Sequence, residues 1–185
     1  MKKILPMFKI CLAAMALLCL AGCSHKFDSN VLDLNFYHWN LWHDREASLE
    51  DEAPSCGWEE LHRGNGKLIR IPALIRDQYP GEQGAGIYWY HCRFTLPENW
   101  EDREIAFRFE GIGPILEVYL NGDPIGSNLA NAVDFELDVS DVIYYTRDNH
   151  LALRVIALDE TQLDSAGIAG TVLVKSVPTE PEKAP

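Results

Sequence analysis

The chain has 185 residues and a formal net charge of −12 at pH 7, with 16 Lys and Arg against 28 Asp and Glu. A surface this acidic repels phosphate backbones and presents no basic patch to anionic lipid, which excludes nucleic acid as a partner and charge-driven adhesion to membranes. The length suits one domain with a packed core and is too short to add a separate catalytic barrel of roughly 250 residues.

Lys2, Lys3 and Lys9 precede or flank the start of an apolar run from Ile10 to Leu20, which ends in Ala21 and Gly22 before Cys23. The run is shorter than the roughly 20 apolar residues that span a bilayer, and its order of parts is that of an export signal. Leu20-Ala-Gly-Cys23 resembles the lipobox of bacterial lipoproteins. The resemblance implies removal of residues 1–22, acylation of Cys23 and retention on a membrane of the bacterial cell envelope; several acyl chains on one residue make a stable anchor. The competing reading is an ordinary secretory signal in which Cys23 stands by chance. On the first reading residues 23–34 are a tether, 35–177 the folded domain and 178–185 a Pro- and charge-rich tail that cannot pack a core.

Cys56 and Cys92 lie beyond the signal. An oxidising compartment permits a disulfide between them, but their spacing specifies none, and a buried free thiol fits equally.

Within the domain the apolar period is two. Tyr88, Tyr90, Cys92, Phe94 and Leu96 alternate with Trp89, His91, Arg93 and Thr95; Ile105, Phe107 and Phe109 with Ala106, Arg108 and Glu110; Val133, Phe135, Leu137 and Val139 with Asp134, Glu136 and Asp138. Such alternation is that of strands with one face to the core and one to water. Ile115–Leu120 and Leu151–Leu158 are apolar at both parities and read as central strands or strands covered on both sides. Lys67–Ile71 and Thr171–Val177 complete about seven strands. Asn121-Gly122 supplies a tight turn with positive φ, and Asp138–Ile143 one helical turn capped by Asp138 or Ser140. No segment reads as a long amphipathic helix, so the expected fold is an all-β sandwich.

The pieces also stand in a telling order: G-I-Y-W-Y-H-C-R-F, then F-R-F-E-G-I, then L-E-V-Y-L-N-G-D-P-I-G, then F-E-L-D-V-S, then N-H-L-A-L-R-V. Together they resemble the N-terminal sugar-binding domain of family 2 glycoside hydrolases, the β-galactosidase and β-glucuronidase type, over roughly Trp58 to Val177. The resemblance implies a two-sheet jelly-roll β-sandwich, galactose-binding-domain-like. It gives structural work to Asn121, Gly122, Gly126 and Asn149. It also implies that the two catalytic glutamates of the family belong to a separate barrel. Some members carry an aspartate just before the last strand that reaches the barrel's sugar pocket; Asp164 in Leu163–Ile168 matches it. The aromatic-arginine pair that follows in the family is replaced by Ala169 and Gly170.

Motifs for other chemistry are missing: no G-x-S-x-G, H-E-x-x-H, P-loop or dinucleotide-binding glycines occur. The acidic clusters Glu50-Asp51-Glu52, Glu59-Glu60 and Glu101-Asp102 read as solvated loops. His38 and His43 lack further ligands at zinc spacing, so no metal site is expected. Loop carboxylates leave a structural Ca²⁺ open, although no D-x-D-x-D loop is present. Sugar rings stack on Trp and Tyr while their hydroxyls bond polar side chains. Tyr37–Asp44 concentrates such residues outside the expected strands, which makes Trp39 and Trp42 the first candidate contacts, with Asp164 a polar one; Trp58, Trp89 and Trp100 are further candidates. The expectation is a non-catalytic carbohydrate-binding lipoprotein with no cofactor, its partners being carbohydrate, the membrane through Cys23 and a glycosidase. The alternative is an assembly subunit that docks a partner protein or completes a separately encoded glycosidase.

Overall fold

A computed structural model describes residues 30–81, 86–113, 115–128 and 134–177. Residues 1–22, Cys23 and the 178–185 tail lie outside them. In chain order the elements are β1 (Val31–Asp33), a 3-10 turn (Leu34–Phe36), β2 (Trp39–Asp44), α1 (Trp58–His62), β3 (Lys67–Ile69), β4 (Ala73–Leu74), α2 (Ile75–Gln78) and β5 (Gly86–Phe94). A second 3-10 turn (Glu98–Trp100) leads into β6 (Glu104–Glu110), β7 (Ile115–Leu120), β8 (Asp123–Asn128), β9 (Asp134–Asp138) and β10 (Asn149–Ala157). The last elements are α3 (Glu160–Ser165), β11 (Gly167–Ile168) and β12 (Val172–Val177).

Two antiparallel sheets face each other, one ordered β1-β12-β6-β9 and the other β3-β2-β5-β10-β7-β8, with a small β11-β4 pair at the side. This is the expected all-β sandwich. Between the sheets lie Tyr88, Tyr90, Cys92 and Phe94 from β5, Ile105, Phe107 and Phe109 from β6, and Leu151, Leu153 and Val155 from β10. The inward parity read in β5, β6 and β9 is the one expected, but the outer face of β5, expected to meet water, is buried at Trp89 and His91; Val133 itself is not among the described residues. Asn121 and Gly122 take φ of 58° and 96°, the primed turn that joins β7 to β8. Gly126 leaves room for the facing sheet: a Cβ there would stand 2.8 Å from Leu137 Cδ2 of β9. After β9, Val139 O accepts from the amides of Val142 and Ile143, both at 3.0 Å, and Asp138 Oδ1 caps the turn by accepting from Ser140 N at 3.0 Å. Asn149 closes the following loop, accepting from Tyr144 N at 2.9 Å and donating to Tyr144 O at 2.7 Å.

The outer faces of the two sheets differ. On the four-stranded sheet Arg108 pairs with Glu110 and Glu136, and Lys175 with Glu136, in water. On the six-stranded sheet residues 45–66, including α1, lie across the face and cover it. Leu61, Ile87, Trp89, Tyr119, Ala152 and Ile156 form a second buried cluster there, with Trp42, Cys56 and Trp58 packed against it. Asp44 pins this cover: its carboxylate accepts from Ser55 Oγ at 2.6 Å, Ser55 N at 2.9 Å, Trp89 Nε1 at 3.1 Å and Ala47 N at 3.2 Å. Beneath it Arg154, 2 % exposed, donates to Glu117 at 2.8 Å and to Ser48 O at 2.9 Å, which compensates a charge that burial alone would make costly.

The cover corrects one expectation. Tyr37–Asp44 is not outside the scaffold: Trp39–Asp44 is strand β2, between β3 and β5. Trp39 and Leu41 face the core, whereas Asn40, Trp42 and Asp44 face outward beneath or beside the cover. Because both faces are apolar in part, the run Trp39, Leu41, Trp42 hides the period of two. The cover also parts the cysteines. Cys92 lies between the sheets and Cys56 in the outer cluster, and both are free thiols.

Candidate ligand-binding groove

Where the cover ends, a groove of about 550 Å³ opens beside β2 and β5. Three stretches distant in sequence build it. The 3-10 turn after β1 projects Phe36, 78 % exposed, and passes Tyr37 and His38 to the rim. Asp33 holds that turn by accepting from Asn35 N at 2.8 Å, and Arg70 Nη1 donates to Phe36 O at 2.9 Å. The floor is a cross-strand pair, Asn40 of β2 opposite His91 of β5, with the exposed Leu68 of β3 opposite Asn40 on its other side. The far wall is the end of α1 and the residues after it, His62, Arg63 and Gly64, with Arg93 of β5.

The groove wall continues into three imidazoles. His62 stacks on His150 with ring centroids 4.2 Å apart and on His91 at 5.5 Å, and His91 Nε2 lies 3.0 Å from His150 Nδ1. Burial first, and His150 next, pushes His62 down to about 4. Burial, then His150, His62 and Arg93, pushes His91 down to about 3. Burial and then Arg93 lower His150 as well. The three rings are therefore neutral at neutral pH. Nδ1 of His91 and Nε2 of His62, both buried, have no hydrogen-bond partner, an exception to the rule that buried polar atoms are paired. Stacked rings do not converge their nitrogens on one point. Among the described residues no group of three or more His, Cys, Asp or Glu is placed to hold a metal ion.

Two other concavities of similar size lie elsewhere. One, about 510 Å³, is lined by Glu50, Asp51, Glu52 and Glu117 beside Trp58 and Tyr119; the other, about 570 Å³, by His43, Arg45, Leu49 and Leu158. The groove beside β2 differs from both in presenting a widely exposed aromatic ring, Phe36.

The residues expected from the sequence to touch sugar do not meet there. Trp39 is 0 % exposed and its indole donates to Leu34 O at 2.9 Å, so it is core and offers no face to a ligand. Trp42 faces outward but packs against the outer cluster under the cover. Asp164 sits on α3, which follows the end of β10 opposite His150, roughly 20 Å away along the strand. Its carboxylate is two-thirds exposed and accepts from Arg76 Nε at 2.7 Å. Trp89 and Trp100 are buried, and Trp58 lies edge-on to Trp89 at 5.5 Å. Cys23 is outside the described residues. Of the entry segment, Phe36, Tyr37, His38 and Asn40 line the groove, whereas Trp39 is core and Trp42, on the same outward face as Asn40, lies under the cover. His62, Arg63, His91 and Arg93 line it too, without a sequence signal: strand pairing brings His91 and Arg93 there, and the covering segment brings His62 and Arg63.

Residues 65–161, just over half of the chain, match the protein family described as the second all-β domain of β-galactosidase. The chain belongs to that family. Among curated relatives of this β-galactosidase-domain chain, a β-glucuronidase of Formosa agariphila is 29 % identical over 84 residues, covering 44 % of this chain and 9 % of the relative. A β-galactosidase of Thermoanaerobacter pseudethanolicus is 26 % identical over 113 residues, covering 58 % and 15 %. Among solved structures, a glycosyl hydrolase family 2 member from Bacteroides cellulosilyticus superposes with a TM-score of 0.61 at 20 % identity, over 80 % of this chain and 21 % of that one. A β-glucuronidase from Ruminococcus gnavus in complex with uronic deoxynojirimycin gives 0.63 at 18 %, over 80 % and 29 %. The structural likeness establishes the sandwich. The chain spans 9 % and 15 % of the two curated relatives, and the family it matches is an all-β accessory domain rather than the catalytic barrel.

Proposed function

We propose that this β-galactosidase-domain chain is a non-catalytic carbohydrate-binding lipoprotein of the bacterial cell envelope, anchored through Cys23, and that sugar binds in the groove beside β2. The observation that carries the reading is the exposed Phe36 ring next to a floor of Asn40 and His91. It combines a stacking face for sugar C–H groups with the half-buried Asn40 amide, whose polar atoms can meet hydroxyls. The glycosidase names of its relatives support a place in carbohydrate metabolism. The test is a glycan array probed with the full chain, then titration of the best binder. Phe36→Ala and Asn40→Ala, each at an exposed or half-buried position, are expected to weaken binding about fivefold to thirtyfold without unfolding the protein. Binding that survives both changes would move the site elsewhere. Turnover of aryl glycosides by the purified chain would overturn the non-catalytic part.

A second reading, docking of a separately encoded glycosidase, is favoured by the exposed Asp164 carboxylate held by Arg76 at the α2–α3 end. Co-purification of a barrel-containing glycosidase, lost in Asp164→Ala, would select it.

A further inference from the structure

Among the described residues, the buried side chains that carry charge or take a proton below pH 7 are Asp44, His91 and Arg154. All three stand on the outer face of the six-stranded sheet, under the 45–66 cover, whereas the core between the sheets is apolar and aromatic. Asp44 and Arg154 hold the cover at residues 47–55 through its backbone and Ser55. Other contacts hold α1. Leu61 is buried, Trp58 meets Trp89 at 5.5 Å and Tyr119 at 5.0 Å, and His62 lies on His150 at 4.2 Å and on His91 at 5.5 Å. His91 and His150 are parallel within 10° at 5.3 Å. A helix of five residues does not persist alone, so α1 exists only while these contacts last.

The ring contacts tolerate no charge. Burial comes first in keeping His91 neutral, followed by the other two rings and Arg93 of β5; at His150 burial is followed by Arg93, and Asp148 of the preceding loop acts the other way. Asp148 itself lies 3.5 Å from Arg93. On α1, Glu59 and Glu60 pair with Arg63. From β2, Asn40 stands opposite His91 without charge, and His38 stands at the groove rim. A second proton on the cluster would set two cations within the ring spacings given above, with no carboxylate between them. Lifting α1 away hydrates both.

We infer that the three imidazoles form an acid-released latch: their protonation lifts α1 from the sheet and takes His62, Arg63 and Gly64 out of the groove wall while the sandwich stays folded. The inference does not depend on what the groove binds. The sign follows from linkage. His62 near 4 and His91 near 3 in the latched state bind fewer protons than free histidines at 6.5, so falling pH favours release. The buried His91 alone shifts the opening equilibrium by roughly fiftyfold between pH 6.5 and 4.5, and the half-buried His62 adds less.

The experiment is amide hydrogen exchange on the full chain at pH 6.5 and 4.5, each corrected for the intrinsic rate. The amides of Leu61, Arg63 and Gly64, which donate to Gly57 O, Glu59 O and Leu61 O, report on α1. They are expected to lose protection by at least about thirtyfold while β6 and β12 stay at least about a hundredfold better protected. His91→Phe is expected to remove most of the change. Should that variant fail to fold, His62→Phe, at a half-buried position, is expected to reduce it at least about threefold. Unchanged protection of α1 at pH 4.5 overturns the latch. Protection in β6 and β12 that falls to the level of α1 makes the event global unfolding and overturns it too. A loss of full size in both histidine variants assigns the acid response to carboxylates instead.

Discussion

His91 and His150 are diagonal neighbours across the β5–β10 ladder, with Nε2 of the first 3.0 Å from Nδ1 of the second and the ring of His62 stacked on both. A neutral pair shares one hydrogen between those nitrogens; protonating both puts two donors face to face. The cluster thus ties the end of α1 to the sheet only while its rings are uncharged.

The first prediction is acid sensitivity. In the folded protein His62 and His91 lie near 4 and 3, against 6.5 for an unperturbed histidine. Between those values the unfolded chain binds more protons than the folded one, so stability rises with pH there and falls as pH drops below about 6.5. The loss by pH 4 is on the order of 3 kcal/mol after discounting the exposed part of His62. Carboxylates with lowered values, such as Asp138 and Glu136, add to it only below about pH 4.5. Urea unfolding from pH 7.5 to 4 is expected to show the slope, flattened in His91→Phe. A curve level down to pH 5 would contradict it.

Asp44→Ala should release the cover. Four donors lose their acceptor, two of them on Ser55 and one on the buried Trp89 indole. The expected cost is about 3 kcal/mol, with faster amide exchange in residues 45–62 than in β6 and β12.

Trp39 and Phe36 should separate stability from binding. Trp39→Ala empties a buried site between the sheets and is expected to cost about 3–5 kcal/mol. Phe36→Ala should leave the thermal midpoint within a degree or two and weaken sugar binding. Differential scanning calorimetry beside the titration checks both.

The thiols should react in order. Burial pushes Cys92 up to about 12, and burial followed by Asp44 raises Cys56 less far. Maleimide at pH 8 is expected to label Cys56 slowly in the native protein and Cys92 only on unfolding. Equal labelling rates in the native state would place Cys92 outside the core.

The proposed anchor is tested by Cys23→Ser. Loss of fatty-acid labelling and release of the protein from the membrane fraction are the expected outcomes; continued fractionation with membranes would put the attachment elsewhere.

Alternation in β6 and β9 was legible because their outer faces are polar and meet water, so residue parity maps directly onto side; in β5 the inward parity was right, but the outer face expected to meet water is buried under the cover. The Asn121-Gly122 turn was legible because positive φ at two successive residues selects few residue types. Strand β2 was not, since the 45–66 cover makes its outer face apolar too and Trp42 mimics a core residue. Helix α1 was not, because five residues held by contact with Trp89 and Tyr119 carry no periodicity of their own.

By itself, then, the sequence determined the sandwich, its strand faces and its kinship with family 2 glycoside hydrolases, all of which rest on local period, turn chemistry and motif order. Which aromatics are accessible, and where a ligand fits, only the tertiary structure decided. Asn40 meets His91 through strand register, and His62 reaches both through a chain segment that returns across the sheet. Such meetings depend on pairing between residues some fifty positions apart, and no local pattern encodes them.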